Sequence, residues 1–193
     1  MGTTERRAEL RKKLVDLARC EIAAGGAKAI KARALSQAAG CSVGAIYTVF
    51  EDLGELVLEV NADTFQALGA KVLSSLNPEQ SPLDQMISMS MAYMDFANEN
   101  PMLWRTLFEA EASIGSDVPQ WYIKALDGLM AMIDRPVAEI FGDEDPITVR
   151  LQTKALFSAI HGIVLLGVED RLSSVGRENM RDMIPFLLTK IAT

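Results

Sequence analysis

His161 is the only histidine among the 193 residues, and the two cysteines, Cys20 and Cys41, have no CxxC spacing and no histidine nearby. Nucleophilic or acid–base catalysis of the Ser-His-Asp kind would have to run through that one imidazole. A metal site would find no Cys or carboxylate at ligand spacing from it. No Gly-rich phosphate loop follows a strand, and no carboxylate pair marks a cleft. The expectation is no catalytic residue, no metal and no cofactor. His161 keeps two readings, a hydrogen-bonded core histidine or a contact in a pocket or interface. Cys20 and Cys41 are expected to be small buried hydrophobes, with a redox switch as the other reading.

Chemistry of another kind lies between residues 42 and 48. Ser42, Val43, Gly44, Ala45, Tyr47 and Thr48 form one edge of a short segment. Thr48 could hydrogen-bond a base edge or a phosphate, and Val43 and Ala45 could meet a thymine methyl. Lys31 and Arg33, just upstream, suit phosphate contacts, which set register and not sequence. With so little side-chain chemistry on this edge, shape and methyl contacts would supply much of any specificity.

The elements that must position these residues are legible in RALSQAAGCSVGAIYTVFEDLGEL, residues 33–56. The run reads as a short helix, a turn on Gly40-Cys41-Ser42, and a second short helix that ends at Phe50, the helix-turn-helix pattern. Leu35 and Ala38 are expected on the inner face of the first helix. Gly40 can take the left-handed conformation that ends it. Ser42 can cap the second helix by accepting from the amide of Gly44 or Ala45. Ile46 and Phe50, four residues apart, would anchor that helix to the core.

Charge is distributed unevenly. Residues 1–50 carry nine Lys or Arg against four Asp or Glu, whereas the remainder carries ten against twenty-two. A basic end on an acidic body suits a nucleic-acid reader, while Arg6, Arg7, Arg11, Lys12 and Lys13 can equally be the solvated face of a helix. The chain is long enough for one large domain or a small domain joined to a larger one. The apolar run from Ala155 to Val168, 14 residues, falls short of the roughly 20 that a bilayer span needs and suits a buried helix. MGTTERRAEL has no apolar signal core, so a cytoplasmic location is expected.

Apolar residues recur at helical spacing almost throughout, with no alternating β-branched run, so an all-α fold of about nine helices is expected. Leu10, Leu14, Leu17 and Cys20 would line a first helix ending at Gly25-Gly26. A long helix from about Asp52 to Leu76 would carry Leu56, Val60, Ala67 and Val72 in line. Pro82 and Pro101 open the next two. Asp117, Val118 and Pro119 would start a helix to about Phe141, kinked or split by Pro136. Gly142 to Pro146 reads as an acidic loop. The last helices fall at about Ile147–Leu172 and Arg177–Ala192, with Pro185 bending the second.

Met86, Met89, Tyr93, Met94, Phe96, Met102, Trp104, Phe108, Trp121, Tyr122, Met130 and Met132 crowd three consecutive helices. They can be plain core or the lining of an apolar ligand cavity. Met86, Met89, Tyr93, Trp104, Phe108, Trp121, Tyr122, Met130 and His161 are the candidate lining. On the last two helices, Leu151, Ala155, Ser158, Ala159, Gly162, Leu165, Met183, Ile184 and Leu187 are the candidate dimer surface, together with Gly167; an intrachain hairpin is the other reading.

The stretch AGCSVGAIYTVF, the acidic link and GELVLEV resemble the TetR family of transcriptional regulators, most closely over residues 8–60. ANENPMLWRTLFEAE and ALFSAIHGIVLLGV resemble a C-terminal subclass of that family with a His-Gly pair in the penultimate helix. The resemblance implies a homodimer that binds double-stranded operator DNA and a small apolar effector, with residues 1–50 as the DNA-binding domain and 51–193 as the ligand-binding and dimerisation domain. It also implies that the Tyr47 hydroxyl bonds a phosphate. Two positions depart from the family pattern: Leu53 stands where a Lys usually anchors a phosphate, and Ala45 and Val49 replace a frequent Thr and His. The expected activity is repression relieved by the effector. Alternatives are a same-fold binding protein with weak or lost operator recognition, and an all-α enzyme using His161 as base.

Overall fold

The computed structural model describes residues 2–114, 119–142 and 145–192, and among these the chain is all-α. In order come α1 (Thr3–Gly25), a 3-10 turn (Ala27–Ala29), α2 (Ala32–Ala39), α3 (Val43–Val49), α4 (Leu53–Ser74), α5 (Pro82–Glu99), α6 (Pro101–Ile114), α7 (Gln120–Phe141), α8 (Pro146–Val168) and α9 (Met180–Ile191). Asp117, Val118 and the acidic pair Asp143 and Glu144 lie outside the described residues.

Two compact units emerge. One joins Met1–Gln66 to Asn100–Tyr122, the other Ala67–Glu99 to Ile123–Thr193. In the first, α1 packs on α2, α3 and α6. Its interior is built from Leu14, Val15, Ala18, Ile22, Ile30, Leu35, Ala39, Ile46, Val49, Phe50, Leu56 and Val60. Fully burying a Leu, Ile, Val or Phe side chain contributes about 1.5–3 kcal/mol. Phe65 meets the Tyr122 ring edge-on at 5.0 Å, and the Tyr122 hydroxyl donates to the Leu107 carbonyl at 2.5 Å.

Several inner faces differ from the sequence reading. On α1 the buried stripe is Leu14, Val15, Ala18 and Ile22, with Leu10 and Leu17 at its margin and Cys20 exposed. The reason is geometric: Leu14, Ala18 and Ile22 keep a spacing of four, and continuing by three to Cys20 rotates off that face. Cys41 is half-buried. On α2 the inner small residue is Ala39, four after Leu35, and Ala38 is exposed. On α4, Leu68 and not Ala67 joins Leu56, Val60 and Val72 inside.

In the second unit α5 packs on α8 and α9, and these two pack on each other. Pro136 and Pro185 lie inside α7 and α9, which run through them unsplit. The penultimate helix stops at Val168, earlier than expected, because Asp170 turns left-handed at φ 52° and the Arg171 amide closes on the Leu166 carbonyl at 3.0 Å. By length and composition α8 is apolar enough to cross a membrane, but only 28% of its most apolar stretch is buried within the chain.

Candidate nucleic-acid interface and the C-terminal body

The turn between α2 and α3 forms as its residues dictate. Gly40 sits at φ 70°, ψ 34°, and the Cys41 amide donates to the Ser36 carbonyl at 2.9 Å, which closes α2. The Ser42 hydroxyl accepts from the Ala45 amide at 3.1 Å, capping α3. Lys13 of α1 reaches the same turn, donating to the Ala39 carbonyl at 2.9 Å. Ile46, Val49 and Phe50 are buried, which leaves Ser42, Val43, Gly44, Tyr47 and Thr48 exposed along the opposite edge and Ala45 half-buried between the two.

Two details adjust what that edge can do. The Thr48 hydroxyl donates to its own helix at the Ala45 carbonyl, 2.7 Å away, so its oxygen is left to accept. Val49 is 3% exposed and belongs to the core. Val49 therefore presents no side chain to the exposed edge. Leu53 is half-buried and packs on the same core, which is what an apolar residue at that position does in place of reaching for a phosphate. Lys31 and Arg33 are exposed at the start of α2.

One contributor went unread in the sequence. Arg11, grouped there with a run of cations, stacks its guanidinium 4.3 Å from the Phe50 ring centroid. It also donates to the Val49 carbonyl and to both Glu55 and Glu59. Burial alone would lower its pKa, but the two carboxylates outweigh burial and hold it above the ordinary value. Glu55 is correspondingly pulled below the ordinary carboxylate value, by Arg11 first and the Glu51 amide second. The sequence carries only half of this signal: Glu55 and Glu59, at a spacing of four, set two carboxylates on one face of α4, where a facing cation relieves their repulsion.

The candidate ligand residues divide between the units. Trp104, Phe108, Trp121 and Tyr122 belong to the first, and Met86, Met89, Tyr93, Met130 and His161 to the second. Trp104 meets Phe108 edge-on at 5.4 Å, and Trp121 meets Tyr122 at 5.6 Å. Trp121 is exposed and borders an open cleft of about 900 Å³ whose other walls, from α1 and α4, carry the pairs Arg11–Glu59 and Arg19–Asp63. In the second unit the Tyr93 hydroxyl lies 2.6 Å from His161 Nδ1, and Phe157 stacks on the imidazole at 5.5 Å. Burial pushes the His161 pKa down, so the neutral ring is favoured. Met86 borders an apolar cavity of about 10 Å³ with Leu83, Leu156 and Leu188, which is no more than one water's worth.

Along α8 the candidate dimer residues Leu151, Ala155, Ser158 and Ala159 are exposed in sequence with Ile147, and Gly162 and Leu165 are half-buried. On α9, Met183 and Leu187 are half-buried beside exposed Phe186, whereas Ile184 is 0% exposed and packs inside its own unit. Gly167 also faces inward, against Met180. Among the described residues no cluster of three metal-ligating side chains occurs.

Residues 86–189 match the family model described as tetracyclin repressor-like, C-terminal domain. No curated protein matches the sequence. Among solved structures, a protein of unknown function from Rhodococcus sp. RHA1 superposes with a TM-score of 0.76 at 20% identity, covering 94% of each chain. A TetR-family transcriptional regulator from Streptomyces coelicolor gives 0.66 at 18%, over 100% of this chain and 83% of its own. RolR, solved with the ligand resorcinol, gives 0.67 at 18%, over 97% and 89%. At these identities the superpositions establish the fold, and the family model, spanning more than half of the sequence, establishes descent: the chain belongs to the TetR family of transcriptional regulators.

Proposed function

We propose that this chain is a homodimeric, effector-responsive repressor. Residues 1–50 read operator DNA, and residues 51–193 bind a small, largely apolar effector and form the dimer. The carrying observation is the geometry of α3, anchored by buried Ile46, Val49 and Phe50 and open along Ser42, Val43, Gly44, Tyr47 and Thr48. Two copies of such a helix, about one helical turn of DNA apart, suit two half-sites. Tyr47, Lys31 and Arg33 hold phosphates, and Val43, Ala45 and Thr48 face bases.

For the effector, support comes from Tyr93, Phe157 and His161, which bring an aromatic surface and a hydroxyl–imidazole pair together. Thr153, one α-helical turn from Phe157, adds a buried hydroxyl with no partner among the described residues. The other buried helical threonines, Thr64 and Thr106, spend theirs on the carbonyl four residues back. An unsatisfied buried hydroxyl costs about 1–3 kcal/mol and favours a bound polar group or water. RolR's resorcinol is a phenol of the kind such a site would take. α4 contributes residues to both units and is the natural lever. Coupling of about 1–3 kcal/mol would lower operator affinity from several-fold to a hundredfold. A cytoplasmic site of action goes with this reading, as does binding in place of catalysis by His161.

Selection of bound duplexes by the purified protein, with and without metabolite extract or resorcinol, tests DNA binding, half-site spacing and release together. An enriched two-half-site duplex released by effector is the expected outcome. Selection that enriches nothing would favour the second reading, a same-fold binding protein without operator recognition, which half-buried Leu53 supports.

A further inference from the structure

Arg11 lies on α1, behind the exposed edge of α3, yet it holds the end of that helix. Its Nη1 donates to the Val49 carbonyl, one of the C-terminal carbonyls that no intrahelical amide reaches. A cation there also suits the helix dipole. On the other side Nε donates to Glu59 at 2.9 Å and Nη2 to Glu55 at 2.7 Å. Glu55 is engaged twice more. Its second oxygen accepts from the Glu51 amide at 2.6 Å, and its own amide donates to Asp52 at 2.8 Å. One guanidinium therefore bonds at once to the last residue of α3 and to the first two turns of α4, and the link between them is fastened to the same carboxylate.

We propose that Arg11 is a positioning residue for DNA reading: carried by Glu55 and Glu59, it makes the angle of the recognition helix follow the start of α4. The inference rests on reading α3 as the DNA-contacting helix. Apolar contacts between α3 and α4 are non-directional and tolerate sliding. A planar, forked guanidinium held by two carboxylates does not, and a lysine cannot reproduce the fork. Movement at the start of α4 thus arrives at Val49 and Phe50 through a directional bond.

The test compares wild type with the double variant Glu55→Gln/Glu59→Gln and with Arg11→Lys. Two readouts are taken, hydrogen exchange at the amides of residues 46–51 and affinity for the duplex that wild type selects. Exchange at 46–51 is expected to rise roughly tenfold while the amides of residues 14–22 change less than about twofold. Duplex affinity of the Gln variant is expected to fall roughly tenfold, although removing two negative charges would by electrostatics alone tighten it. Unchanged exchange at 46–51, a uniform rise across the first unit, or duplex affinity that holds or tightens overturns the proposal. If wild type enriches no duplex while exchange still rises locally, the operator reading fails and the link between α4 and α3 stands.

Discussion

Gly40 separates the backbone cost of the turn from any packing cost. At φ 70° it occupies left-handed space, and a methyl group added there would touch nothing within 4 Å. Gly40→Ala should therefore cost about 1–2 kcal/mol through the backbone alone, read as a lower thermal midpoint with DNA-free folding intact. Tyr47 should behave in the opposite way. It is 49% exposed, so Tyr47→Ala should leave stability within about 0.5 kcal/mol. Its affinity for a selected duplex should drop roughly tenfold if the hydroxyl bonds a phosphate; unchanged affinity and salt slope would place the groove elsewhere. His161 brings a pH dependence. Burial depresses its folded pKa below the ordinary 6.5, and only the neutral ring can accept from the Tyr93 hydroxyl. The unfolded chain therefore takes up the proton first as pH falls, so stability present near pH 7 should be lost below about 6.5, as pH approaches the lower folded value. His161→Gln should flatten that part of the difference curve in thermal midpoint between pH 7 and 5.

Elements were legible where a residue's backbone chemistry decides. Gly40, Ser42, Pro82 and Pro101 act through φ, a hydroxyl or a missing amide, and the helices start and stop beside them. Faces are harder to read, because a stripe continued by three or by four diverges within two turns: Cys20, Ala38 and Ala67 follow the apolar spacing of the sequence and lie exposed. Arg11 was hidden for another reason, since its partners Glu55 and Glu59 lie more than forty positions away and only the fold selects them from the many acids. Gly167 has a related cause. As a small residue on α8 it reads as part of a surface for a second helix, but its helix partner is α9 of the same chain. A methyl group there would overlap the buried Met180 thioether. Gly167→Ala should thus destabilise the second unit by about 1–3 kcal/mol through forced repacking, measured by denaturant midpoint. Gly162→Ala, where a methyl group would meet nothing within the chain, lacks that overlap, and in the isolated monomer it should hold or gain up to about 1 kcal/mol through helix propensity.

At the scale of the molecule, α8 leaves a problem that the single chain does not solve. Ile147 and Leu151 are 73% and 63% exposed, Ala155, Ser158 and Ala159 continue the same face, and Phe186 of α9 is 55% exposed. Large apolar side chains lined up in water mark a surface that something else covers. A second copy is the occupant that the proposed reading of two half-sites calls for, because one short helix gives only one half-site. The small side chains at 155, 158, 159 and 162 would let two such helices approach closely. Charging that face tests this directly. Leu151→Glu removes nothing from the chain's own core, so the monomer should fold, yet sedimentation should show half the wild-type mass. The wild-type thermal midpoint should rise with protein concentration and that of the variant should not. Affinity for a duplex with two half-sites should fall by about a hundredfold or more as the second contact ceases to be intramolecular, while affinity for an isolated half-site stays put. Wild type that sediments as a monomer at micromolar concentration, or a variant that keeps the dimer mass, would mean that α8 is covered in some other way.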